Sequence, residues 1–313
     1  MVGDNLPPPS DVVELYRSNG ITAMRLYAPN DTTLRALKDT GIHVMMGVDD
    51  GTLEDLATNP SAAPNWVRTN ILPYPQVSFK YIVVGNEVAP GDAHNYILPA
   101  MSKMWDAICK AGYKDKIKVS TAVCSLVLTN TYPPSKSQFN PSYTMGPIVE
   151  FLSETGNPLL ANIYPYFSYK DNYPKIDLNY ALFKPSTAVV QDGTYKYTNL
   201  FDAMVDSVYY ALEKAGGSRV GVVVSESGWP SDGGLGATKE NAKTYNQNLI
   251  NHVVSGTPKN KTNLETYVFA MFNENMKPND NGREVERYFG LFYPTNKSPV
   301  YPISFNNVTS QKI

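Results

Sequence analysis

Two glutamates stand at the ends of apolar, β-branched runs: Lys80-Tyr-Ile-Val-Val-Gly-Asn86-Glu87 and Arg219-Val-Gly-Val-Val-Val-Ser-Glu226. Runs of this kind read as strands buried on both faces, as in a parallel sheet. A carboxylate at the end of such a strand leaves water at a cost and is kept where it works. Two of them about 5–5.5 Å apart are the equipment for hydrolysing a glycosidic bond with retention, one as acid/base and the other as nucleophile. The bland alternative is a pair of exposed strand-end carboxylates. It weakens once the neighbours are added. Asn86 beside Glu87 can bond a sugar hydroxyl, and Ser227-Gly228-Trp229-Pro230 after Glu226 reads as a sharp bend with an indole to flank the site.

Other strand-like runs end on Arg25-Leu-Tyr27, Asp49-Asp50, Asn162-Ile-Tyr164-Pro-Tyr166-Phe167 and Asn273-Glu274-Asn275-Met-Lys277. In a parallel α/β barrel the reacting groups gather at the C-terminal strand ends. Glu274 and Lys277 admit two readings at this stage. One is a surface ion pair of little worth. The other has Lys277 holding a carboxylate ionised while Glu274 raises the acid's pKa by repulsion. Tyr164, Tyr166, Phe167 and Tyr169 fit either a core or a lined cleft, and Asn162 beside them favours the cleft. His43, His94 and His252 are scattered, without metal-ligand spacing. Neither a phosphate-cradling glycine loop, a dinucleotide fingerprint nor a G-x-S-x-G elbow is present, so no cofactor is expected.

The strand-like runs fall at 21–27, 42–48, 81–87, 117–123, 159–164, 220–226 and 266–273, with helical patterns between them. Ser10 is expected to cap the first helix, and Asp31 or Thr32 the second. Strands alternating with helices mean a parallel sheet with helical crossovers in one domain. Seven strands are one short of a (β/α)8 barrel, and a doubly wound sheet fits the count as well. However, the first element is a helix, and the proline-rich opening at 3–9 reads as a strand-to-helix loop. The simplest account is a barrel whose first strand is missing from this sequence.

The 313 residues, 42% hydrophobic with a net charge of −2, suffice for one large core. No basic patch points to nucleic acid or an anionic membrane. No apolar run approaches a membrane span, and the N-terminus has no signal-peptide core. Cys109 and Cys124 read as buried thiols. Four N-glycosylation sequons begin at Asn30, Asn260, Asn296 and Asn307 and give weak support for secretion.

Six segments occur in order: Met24-Arg-Leu-Tyr27, Val84-Gly-Asn-Glu87, Asn162-Ile-Tyr-Pro-Tyr-Phe167, Val224-Ser-Glu-Ser-Gly-Trp-Pro-Ser231, Ala270-Met-Phe-Asn-Glu-Asn-Met-Lys277 and Phe289-Gly-Leu-Phe-Tyr-Pro294. Together they resemble glycoside hydrolase family 17, the plant β-1,3-glucanases, over essentially the whole chain. The resemblance implies a (β/α)8 TIM barrel with Glu87 ending the fourth strand and Glu226 the seventh, once the missing strand is counted first. It implies Glu87 as acid/base, Glu226 as nucleophile, and Glu274 and Lys277 as accessory catalytic groups. Tyr27, Asn86, Asn162, Tyr164, Phe167 and Glu286 match groove-lining positions. The implied protein is a monomeric endo-hydrolase of β-1,3-glucan, placed in the cell wall or vacuole. A 1,3-1,4-β-glucanase of the same family shares both glutamates, and a non-hydrolytic glucan-binding protein is the rival from another class. Residues 1–305 form the expected catalytic domain and 306–313 a tail. The chain departs from the family pattern in lacking the initial strand, roughly Gly-Val-Cys-Tyr-Gly, and a secretion signal.

Overall fold

The computed structural model describes residues 2–184, 187–279 and 284–305, so the expected tail and the Asn307 sequon lie outside the described residues. Seven strands form one sheet: β1 Ala23–Leu26, β2 His43–Gly47, β3 Ser78–Asn86, β4 Lys118–Val123, β5 Leu159–Asn162, β6 Val222–Ser227 and β7 Thr266–Val268. They lie side by side in chain order, every pair parallel. β1 and β7 approach within 8 Å between Cα atoms but do not pair. The result is a nearly closed barrel in which the eighth strand position, between β1 and β7, holds no strand among the described residues. This agrees with the count from sequence.

The apolar runs become strands because both of their faces are covered. Met45, Tyr81, Val83, Ala122, Leu160, Val223 and Tyr267 form one buried cluster inside the barrel. Their neighbours Val44, Met46, Ile82, Val84, Leu159, Ala161, Val222 and Val224 belong to a second cluster shared with the helices. A period of two with apolar residues in both phases is the signature of a doubly covered parallel strand.

Local signals were legible to different degrees. The first helix starts at Pro9 without a side-chain cap, proline taking the first helical position in place of the expected Ser10 cap. The second helix is capped by Asn30, not Asp31 or Thr32; its Oδ1 accepts the Thr33 N–H at 2.9 Å. β7 is shorter than the run 266–273. Beyond Val268 the chain turns to pair elsewhere, the Ala270 N–H reaching the Phe289 carbonyl at 3.0 Å and Phe272 bridging to Phe292. A hairpin of Val190–Asp192 with Tyr195–Tyr197 was not expected, although Asp192-Gly193 is its turn signal and Gly193 has φ of +58°.

One buried acid ties the helix Leu200–Lys214 to the loop that feeds β7. Asp206 is fully buried, and one carboxylate oxygen accepts the Lys259 N–H at 3.0 Å. Burial pushes its carboxyl up to about 6. A folded-state pKa above the unfolded value makes the native state most favoured in acid and less so as pH rises through 6. Thermal melts should therefore show stability falling between pH 4 and 7 by on the order of 2–3 kcal/mol from this group. Asp206→Asn should flatten that slope, and an unchanged slope would show that the acid does not titrate in this range.

Candidate active site

Arg25, on β1, brings the strand ends together. Its side chain is 6% exposed. Nη1 donates to Glu226 Oε1 at 2.8 Å, to the Ser225 carbonyl at 3.0 Å and to Asn162 Oδ1 at 3.2 Å, and Nη2 donates to Asn86 Oδ1 at 2.7 Å. One guanidinium thus holds β3, β5 and β6 at their C-terminal ends. Sequence reasoning noted Arg25 at a strand end but left it out of the site. Its partners lie 61 to 201 residues away, so no local signal announces them.

Asn162 joins Glu87 to the Arg25 network that holds Glu226. Its Nδ2 donates to Glu87 Oε1 at 2.8 Å and to Asn86 Oδ1 at 3.2 Å, while its Oδ1 accepts from Arg25 and from Ser225 Oγ at 2.7 Å. Ser225 is the second participant that the sequence did not single out. Tyr27 Oη donates to Glu226 Oε1 at 2.7 Å and Tyr164 Oη to Oε2 at 2.6 Å. Burial, and then the Glu226 charge, hold both phenols well above their usual range, so they remain donors. Glu226, 7% exposed, is therefore gripped by one cation and two phenols.

Glu87 meets a different environment. Burial raises its carboxyl above the ordinary range; the Asn162 N–H opposes this, and the charges of Glu226 and Glu286 add to it. The chain reaches Glu87 by leaving the ladder. Register against β4 shifts between Val83 and Asn86, Gly85 has φ of +85°, and Glu87 itself sits at φ of +55°. β6 shifts register against β5 between Val224 and Glu226 in the same way. Each strand therefore carries an irregularity directly before its glutamate, which re-aims the side chain. A non-glycine residue in the left-handed region costs free energy, which the surrounding contacts of Glu87 must offset.

Glu274 and Lys277 do not form a surface pair. Glu274 is 4% and Lys277 17% exposed, 3.6 Å apart, and Lys277 is also 3.6 Å from Glu286. Glu274 additionally accepts the Val2 N–H. The charges of Glu226 and Glu286 add to the rise at Glu87, and the Glu274 charge adds to the rise at Tyr27. Lys277 Nζ sits 4.4 Å from the Phe269 ring centre. Tyr164 and Phe167 pack edgewise with each other, and both contact Phe289, giving the site an aromatic wall. Trp229 does not flank the site. It is fully buried against Tyr166, Tyr169 and Tyr245, its Nε1 donating to the Gly236 carbonyl at 2.9 Å. Cys109 and Cys124 are free thiols, half-buried instead of fully buried. No cluster of three or more His, Cys, Asp or Glu able to hold a metal occurs among the described residues.

The family description glycosyl hydrolases family 17 matches residues 1–305. The chain belongs to this family. A glucan endo-1,3-beta-glucosidase of Vitis vinifera is 52% identical over 97% of this chain and 89% of its own. Lichenase-2 of Hordeum vulgare is 51% identical over 97% and 96%. A solved structure described as one of two plant beta-glucan endohydrolases with distinct substrate specificities superposes with a TM-score of 0.94 at 51% identity, covering 97% of this chain and 98% of that one. The family 17 barrel thus places Arg25, Asn162 and both glutamates in one connected set.

Removing one member of a buried ion pair leaves the other charge uncompensated. Arg25→Met should lower unfolding free energy by about 3–5 kcal/mol in denaturant melts. The exposed Arg35→Met should leave the denaturant midpoint close to that of wild type. Equal effects would show that Arg25 is not the clamp described.

Proposed function

We propose that this chain is an endo-acting hydrolase of β-1,3-glucans that works by double displacement with retention. The observation that carries this reading is the pair of buried glutamates, linked through Asn162 and Arg25 yet held in unlike surroundings. Glu87, whose carboxyl is raised by burial, suits the proton donor. Glu226, with a guanidinium and two phenols fixing its oxygens, suits the anionic nucleophile.

In the first step Glu87 protonates the glycosidic oxygen while a Glu226 oxygen attacks the anomeric carbon; the aglycone leaves and a glycosyl ester forms. In the second, ionised Glu87 takes a proton from water, whose oxygen displaces Glu226 and restores the starting configuration. Asn86 beside the acid, the aromatic wall of Tyr164 and Phe167, and Tyr27 position the sugar. Lys277, between Glu274 and Glu286, sets the local charge at the rim. Residues 1–305 act as one catalytic domain, and a monomer acting in the cell wall or vacuole fits the same reading. No helix among the described residues is long and apolar enough to cross a membrane.

The mixed-linkage alternative has its own observation behind it, because lichenase-2 matches this chain at an identity close to that of the grape glucan endo-1,3-beta-glucosidase. Reducing-sugar release from linear β-1,3-glucan, mixed-linkage glucan and cellulose, measured side by side, decides between them. Release from the linear β-1,3-glucan in preference to the others is expected. Glu226→Ala should abolish it while leaving circular dichroism near wild type, and substantial residual turnover would refute the nucleophile assignment. Binding of the glucan by the wild-type chain with no release would favour a binding protein.

The pH profile tests the acid. Activity should fall as pH rises through the Glu87 pKa, since the donor must be protonated. Glu286→Gln removes a like charge and should move the alkaline limb of kcat/KM to lower pH; Asn162→Ala removes a donor to the carboxylate and should move it higher. Shifts of the same sign in both variants would contradict the assignment.

A further inference from the structure

Three of the four sequons lie within the described residues, and their asparagines are engaged in different ways. Asn296 is exposed on the turn between Phe292 and Pro299. Its Oδ1 accepts the Ser298 N–H at 3.0 Å and the Ser298 hydroxyl at 2.8 Å. Both of these bonds use the carbonyl side of the amide and neither engages the nitrogen. Asn30 is also exposed, and its Oδ1 accepts the Thr33 N–H at 2.9 Å and the Thr33 hydroxyl at 3.0 Å. Asn260 differs. It is half-buried, its Nδ2 donates to Tyr209 Oη at 2.8 Å, and its Oδ1 accepts from the Thr262 N–H and hydroxyl. Its carbonyl accepts the Thr257 N–H at 2.7 Å and packs so closely on Gly256 that a Cβ there would clash with it. Asn260 is the packed centre of the turn that also presents the Lys259 N–H to Asp206.

We propose that Asn30 and Asn296 are acceptors for N-linked oligosaccharide and that Asn260, in the same motif, is bare in the folded protein. In the transfer, the Asn Nδ2 attacks the anomeric carbon of an oligosaccharide carried on a lipid pyrophosphate. A C–N bond forms, the C–O bond to the pyrophosphate breaks, and the nitrogen gives up one proton. The product keeps the Oδ1 acceptor, so the local bonds at Asn30 and Asn296 survive modification. At Asn260 the first sugar would have to displace Tyr209 and open the turn, at the cost of the buried contacts around Asp206. A chain modified there does not reach the native fold. Asn30 follows β1 by four residues, at the C-terminal end of the barrel where Tyr27 meets Glu226, so its glycan stands on the reacting face.

The test supplies its own route through the secretory membrane and reads no activity, so it is independent of the hydrolase reading. The full chain is produced behind a cleavable secretion leader in yeast. Peptides of the secreted protein are treated with peptide N-glycosidase in heavy-oxygen water, which converts each occupied asparagine to labelled aspartate. Label at Asn30 and Asn296 with none at Asn260 is expected. Label at Asn260, or its absence from Asn30 or Asn296, overturns the assignment. Gel mobility gives a second readout. Thr32→Ala and Ser298→Ala should each remove one glycan's worth of mass, whereas Thr262→Ala should remove none; Asn296→Gln replaces Ser298→Ala should the turn fail to form.

Discussion

A guanidinium withdrawn from water must be met on all sides by acceptors, and that requirement organises this barrel. Arg25 finds its acceptors on three other strands: an amide oxygen from β3, another from β5, and a carboxylate with a backbone carbonyl from β6. Its planar fork suits several directed bonds at once, which a lysine ammonium does not reproduce. The face of the same group stacks on the Tyr27 ring, 4.6 Å from its centre. Since each partner is itself at a strand end, the cation fixes the relative height of strands whose ladders alone leave irregularities. The arrangement of the strand-end side chains therefore follows from the satisfaction of one buried charge.

The same network separates two chemically identical side chains. Glu226 receives every strong donor near it, from Arg25, Tyr27 and Tyr164, whereas Glu87 receives one neutral amide N–H from Asn162. At Glu87 burial outweighs the Asn162 hydrogen bond and the more distant Arg25 charge, which pull the other way. Two carboxylates can divide acid and base work only when their surroundings push them apart, and in the proposed mechanism the allocation of donors supplies that difference. The aromatic wall of Tyr164, Phe167, Phe269 and Phe289 meets the pair at Glu226, where the Tyr164 hydroxyl donates to Oε2.

Much of this was legible in the sequence, and the failures have physical causes. Val83-Val84 and Val222-Val223-Val224 announce doubly buried strands by themselves, so the parallel sheet and the placement of Glu87 and Glu226 at strand ends could be read. The resemblance then gave Asn162, Tyr27 and Tyr164 as site residues, which the structure brings into contact with the glutamates. Arg25 was underweighted because its role is defined by residues far away in the chain. Trp229 was misplaced because a tryptophan after a bend carries no sign of which way its ring turns, and three tyrosines claim it for the core. Glu274 stands near a charged site, as expected, but which neighbour feels its field depends on distances that spacing does not encode.

The register breaks in β3 and β6 change what counts as the active-site sequence. In an unbroken strand, direction alternates, and every side chain's face follows from its parity. Once a bulge intervenes before Glu87 and again before Glu226, parity counted from the strand start no longer predicts where the carboxylate faces. The information that aims the reacting oxygens is held in the backbone hydrogen-bond count, and in Gly85, not in the glutamates. A designer who copied the two acids onto the ends of regular barrel strands would transfer the chemistry without its aim. Moving the catalysis to another scaffold means moving the irregularities first.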